Sequence, residues 1–158
     1  MTRFSPGSPT DQFGEDFLDF IAEMNAHEVE FVLVGGYAMG AHGVVRATVD
    51  IDFLYRATPS NVERLCRALR GFGAPANIIT PVDLLQPDVV SAFGSPPHRI
   101  DLLSSITGVS FDAVWRGSGH LNVNGQSLRV IGLAELRQNK AATGRAKDRD
   151  DLRRLAKA

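Results

Sequence analysis

The sequence predicts a mixed α/β protein (α/β or α+β), in which a mixed sheet is flanked by helices and the C-terminus is helical. Three observations lead there. Short β-branched runs alternate with segments whose apolar residues recur at helical spacing. Asn124-Gly125 stands between two apolar runs as a tight hairpin turn. From Leu133 onward the chain is charged and helix-periodic, broken once at Gly144.

Each element has a local cause. Ser8-Pro9-Thr10-Asp11 reads as a helix start, an N-cap serine with proline at the first helical position. Phe13, Phe17, Phe20, Ile21 and Met24 follow as one buried stripe. Val29 to Val34 is a β-branched run and predicts a strand, broken by Gly35-Gly36. Tyr37 to His42 predicts a short helix beginning at those glycines. Thr48 to Tyr55 alternates, with Thr48, Asp50 and Asp52 on one face and Val49, Ile51 and Phe53 on the other. Ser60-x-x-Glu63 reads as a capping box, and the helix it opens should end at a glycine cap, Gly71. Thr80-Pro81-Val82-Asp83 starts another short helix. Val89 to Phe93 and Arg99 to Leu103 predict strands on either side of Gly94-Ser95-Pro96-Pro97. Phe111 to Trp115 predicts a helical turn. His120 to Val123 and Ser127 to Ile131 predict the hairpin. Leu133 to Thr143 and about Lys147 to Leu155 predict the two last helices.

Composition bounds the function. The chain has 158 residues, 44% of them hydrophobic, enough for one self-sufficient core. Residues 1–158 read as one domain, with a loose lead-in at 1–8 and a helical segment at 133–158. The lone Cys66 excludes a disulfide framework and a multi-cysteine zinc site, which suits a reducing cytoplasm. MTRFSPGSPT has no apolar signal core, and no run is long enough for a membrane span. The expected location is therefore cytoplasmic, with no membrane partner. The net charge of −1 says nothing about nucleic acid, but Leu133 to Ala158 holds eight basic and four acidic residues. Such a segment suits phosphates or a solvated helix face.

The chemistry concentrates in three places. Gly35-Gly36 leads into a helix, where glycines let a phosphate approach the backbone. It is no Walker loop, because Ala41-His42 stands where Lys-Ser/Thr is required, and the third glycine of a dinucleotide fingerprint is missing. Asp50 and Asp52 share a strand face about 6.5–7 Å apart. They form either an exposed acidic face or the ligands of a cation such as Mg2+, which takes oxygen donors and keeps waters that a phosphate can replace. Asp101 sits in the apolar strand "HRIDLL" and needs a partner. If its strand lies beside Thr48 to Tyr55, the three carboxylates can hold two Mg2+ ions, with Mn2+ as an alternative, as in nucleotidyl transfer. His42 and His98 lack metal-ligand spacing and read as structural. Phe111 and Trp115 read as core.

Gly35-Gly36, then Asp50-x-Asp52 fourteen residues after the second glycine, then Asp101 on a later strand, resembles the polymerase β-type nucleotidyltransferase superfamily. "VGGYAMGAHGVVRATVDIDF" resembles more narrowly the small prokaryotic nucleotidyltransferases of the AbiEii toxin type. Lys140, Arg145, Asp148, Asp151 and Leu152 match the late-helix lysine and Arg-x-x-Asp-x-x-Asp-Leu pattern of those relatives. The resemblance implies a nucleotidyltransferase-like fold in which Asp50, Asp52 and Asp101 are catalytic metal ligands. It implies that Gly35, Gly36, Thr48, Lys140 and Asp148 serve nucleotide binding, with Lys140 on the triphosphate. It implies transfer of a nucleoside monophosphate from an NTP to a hydroxyl of RNA or protein, and toxin-like action with a cognate antitoxin chain or in phage defence. The alternatives are an inactive nucleotide-binding or partner-regulating module of the same fold, and a plain α/β binding domain with an acidic strand.

Overall fold

Residues 14–157 are described by a computed structural model. An amphipathic helix, α1 (Glu15–Ala26), buries Phe17, Phe20, Ile21 and Met24 and leads to strand β1 (Phe31–Val34). Helix α2 (Gly35–Ala41) follows without a linker, then β2 (Asp50–Tyr55) and α3 (Pro59–Phe72). A 3-10 turn at Ala76–Ile78 and α4 (Pro81–Leu84) precede β3 (Val90–Phe93) and β4 (Arg99–Leu103). Helix α5 (Phe111–Gly117) leads to the hairpin β5 (Gly119–Val123) and β6 (Gln126–Val130). Helices α6 (Leu133–Thr143) and α7 (Ala146–Ala156) close the described chain.

The strands form one open sheet in the order β3-β4-β2-β1-β6-β5. β2 runs parallel to β4 and β1 parallel to β6, while the β1–β2, β3–β4 and β5–β6 pairs are antiparallel. The sheet is therefore mixed, as the sequence predicts. Side chains alternate across it. Ile51, Phe53, Leu33, Ile100 and Leu102 lie on one face and are buried. There Phe20 of α1 packs its ring 5.5 Å from Phe53, 5.8 Å from Phe93 and 5.1 Å from Phe72 of α3. Asp50, Asp52, Asp101 and Leu103 belong to the other face.

Several boundaries differ from expectation. The start at Ser8-Pro9, the lead-in 1–8 and Phe13 lie outside the described residues; the described part of α1 is capped by Gly14. The Ser60-Glu63 capping box does not form. Thr58 is the N-cap and Pro59, with its fixed φ, takes the first helical position. Glu63 instead accepts a hydrogen bond from Arg67 at 2.6 Å. Helix α3 runs past Gly71 to a left-handed cap at Gly73, φ 88°. The Glu23 carboxylate of α1 lies against Gly71 in the space a Cβ there would occupy. Thr48 precedes β2 and is not part of it. The Asn124-Gly125 turn has both residues at positive φ, 51° and 84°, as a two-residue hairpin with the sheet's right-handed twist requires.

Candidate functional site

The parallel pairing of β2 and β4 sets Asp52 directly opposite Asp101, and Asp50 opposite Arg99. Paired residues point to the same face. Asp50, Asp52 and Asp101 each offer a carboxylate oxygen within 4.8 Å of the others. The three residues that the sequence proposes as ligands are thus brought together.

Gly35 explains how the cluster is seated. It starts α2 at φ 71°, a conformation favouring glycine, and a Cβ on it would overlap Asp52 Oδ2. A side chain at position 35 would therefore displace the Asp52 carboxylate. A Cβ on Gly36 would lie 3.1 Å from Thr48 Oγ1. Thr48 donates its hydroxyl hydrogen to the Asp50 carbonyl at 3.0 Å, with Asp50 Oδ1 at 3.4 Å. The Thr48 side chain therefore pins the chain at the entry to β2.

Three acids this close cannot all ionise freely. Burial, then the charges of Asp50 and Asp101 and a hydrogen bond with Asp101, push the Asp52 carboxyl up to about 7. Burial also raises Asp101, and Asp50 adds to it; Arg99 opposes the rise. Arg99 Nε donates to Asp101 Oδ1 at 2.8 Å, and Nη2 lies 3.5 Å from Oδ2. Arg99 and Asp101 stand two residues apart on β4, so their side chains share a face.

A cationic wall faces the acids across a cavity of about 480 Å³. Arg46, Lys140, Arg145 and Lys147 line it, together with Gly35, Gly36, Thr48 and the three aspartates. Lys140 is 5% exposed, and its ammonium lies 2.9 Å from Asp151 Oδ2 and 3.4 Å from Asp148 Oδ1. Its charge is already shared with two buried carboxylates, which the expected role on a triphosphate did not include. Arg46 reaches the same Asp151, with Nε 3.1 Å from Oδ1 and Nη2 3.2 Å from Oδ2. Asp148 organises the start of α7: its Oδ2 accepts the Arg145 backbone N–H at 3.2 Å and Arg145 Nε–H at 2.7 Å. Burial opposes its ionisation, but hydrogen bonds from Arg145 above all hold its carboxyl down to about 2.

Arg46 and Asp151 are 105 positions apart, so no local pattern could reveal their contact. The histidines lie elsewhere: His42 Nε2 is 2.8 Å from the Ile131 carbonyl oxygen, and His98 packs against Phe17. Phe111 and Trp115 stack at the rim of the core. Arg56 lies over Phe111 at 4.5 Å and Arg129 over Trp115 at 3.6 Å, a pair of cation–π contacts not expected from sequence. No helix among the described residues is long and apolar enough to cross a membrane. Compared with known proteins, the chain matches no family model and no curated protein.

Proposed function

We propose that the protein is a Mg2+-dependent nucleotidyltransferase of the polymerase β type, similar to the small AbiEii-like enzymes. One observation carries the reading: the β2–β4 register that gathers Asp50, Asp52 and Asp101 beside the Gly35-Gly36 turn. The donor set fits a hard cation. All three donors are carboxylate oxygens, and burial, together with the charges of Asp50 and Asp101, pushes Asp52 towards neutrality. Asp50, Asp52 and Asp101 would hold Mg2+, or Mn2+ in its place. Bound there, the metal supplies charge neutralisation for the triphosphate and a lower pKa for the acceptor hydroxyl.

The chain's own residues supply the rest. An acceptor oxygen bonds to the α-phosphorus of an NTP as the bond to the bridging oxygen breaks, and pyrophosphate leaves. Asp101, held by Arg99, is the base that takes the hydroxyl proton. Arg46, Arg145 and Lys147 line the wall that receives the leaving pyrophosphate, with Lys140 and Asp148 fixing that wall in place. The acceptor is a hydroxyl of an RNA 3′ end or a protein side chain, and the activity is toxin-like, with an antitoxin chain as natural partner. A second reading is nucleotide binding without transfer: the Arg99 guanidinium, 2.8 Å from Asp101 Oδ1, competes with the acceptor proton for that carboxylate.

The test is incubation of the protein with α-labelled NTPs, Mg2+ and cell lysate. An acceptor should become labelled, and Asp52→Asn should abolish the labelling. Labelling that persists in the variant refutes the assigned site; NTP binding without label in either protein supports the second reading.

A further inference from the structure

The cavity is chemically two-ended. One end holds the carboxylates and cations. The other is floored by Val90, Leu103 and Ile106. The sheet register shows how the floor joins the site. Asp52, Asp101 and Ala92 form one row across β2, β4 and β3; Leu54, Leu103 and Val90 form the next row on the same face. The second row lies about 6.6 Å further along the strands. Val90 is 59% exposed, although it is a large apolar side chain in a cavity wall, and Ala92 beside it is exposed as well. Helix α6 is tied to the loop that follows β4: Asn139 donates its side-chain N–H to the Thr107 carbonyl at 2.9 Å, and Gln138 does so to Gly108 at 2.9 Å.

We infer that this shelf of Val90, Leu103 and Ile106 is the seat of the nucleoside ring, with the phosphates at the charged end; the inference rests on the nucleotidyltransferase reading above. A ligand that fills the cavity must combine a polyanionic end with a flat, weakly polar body, and a nucleoside triphosphate does. The volume lies within the range of small-molecule sites. The acidic residues of the lining are the triad and its cations are Arg46, Lys140, Arg145 and Lys147; the shelf itself carries no charged side chain. The ring is held by excluding water from apolar surface, which makes Val90 a specificity-determining residue for nucleotide over bare polyphosphate.

The test compares binding of Mg-ATP and Mg-tripolyphosphate to the full chain by titration calorimetry. Val90→Asn should weaken Mg-ATP about five- to tenfold and leave Mg-tripolyphosphate within about twofold. Val90→Ile should bind ATP as the parent does. Val82→Asn, at a valine 72% exposed on α4 and outside the cavity, should change neither. Unchanged ATP affinity in Val90→Asn, or equal loss of both ligands, overturns the shelf while leaving the charged site intact. If the parent protein binds neither ligand, the nucleotidyltransferase reading falls and the shelf falls with it.

Discussion

Replacing Asp52 by asparagine should stabilise the metal-free protein while destroying its site. The Asp52 carboxyl stands at about 7 instead of the ordinary 3.8 because burial, Asp50 and Asp101 all oppose its charge. The folded state therefore holds the proton more tightly than the unfolded chain. Stability is greatest below the unfolded pKa and falls as pH rises towards 7. A shift of this size corresponds to about 4 kcal/mol, and solvent screening in an open cavity reduces that to about 2 kcal/mol. Asparagine keeps the shape and carries no charge, so Asp52→Asn should gain about 2 kcal/mol at pH 8 and almost nothing at pH 4. In a domain of this size that is a rise in Tm of roughly 4–8 °C. Urea unfolding of both proteins at the two pH values, with divalent ions chelated, measures it. A variant no more stable than the parent at pH 8, or a gain independent of pH, refutes the account of the triad as mutually repelling acids. Added Mg2+ should narrow the gap, since a ligand at ten times its Kd stabilises the parent by about 1.4 kcal/mol.

Three further outcomes follow from the same contacts. Lys140→Met should cost about 3–5 kcal/mol in urea unfolding, because it leaves Asp148 and Asp151 buried with less positive charge. Gly35→Ala should cost about 1–2 kcal/mol from its left-handed backbone alone. It should also weaken Mn2+ binding, followed by electron paramagnetic resonance, by displacing the Asp52 carboxylate. Arg99→Gln should raise the Asp101 carboxyl further, because Arg99 opposes the rise that burial causes. Carbon-detected NMR titration of the side-chain carboxyl would register that shift, and a downward shift would count against the pairing.

What the sequence made legible was whatever follows from spacing along one element. The alternation in Thr48 to Tyr55 assigns Asp50 and Asp52 to one strand face, and helix α6 appears at its expected bounds. Element ends are less legible. Pro59 and Gly73 set the ends of α3, although Ser60 and Gly71 offered equally plausible caps: Pro59 has the fixed φ of a first helical residue and Gly73 adopts the left-handed cap. The meeting of Asp52 with Asp101 is not legible in either strand alone, since strand partners are chosen by the whole sheet. The Arg46–Asp151–Lys140 network joins a loop to two late helices and leaves no trace in local periodicity. For the same reason Gly35 could be recognised as necessary but not as the neighbour of Asp52.

The β2–β4 register has a consequence for how the protein matures. Sliding β4 by one residue would turn Asp101 in among the aromatic rings and expose Ile100 and Leu102. Hydrophobic sorting alone rejects that arrangement during folding, so every correctly folded chain already carries its carboxylates side by side. Cation capture then needs no rearrangement of the sheet, and quality control of the fold is at the same time quality control of the site.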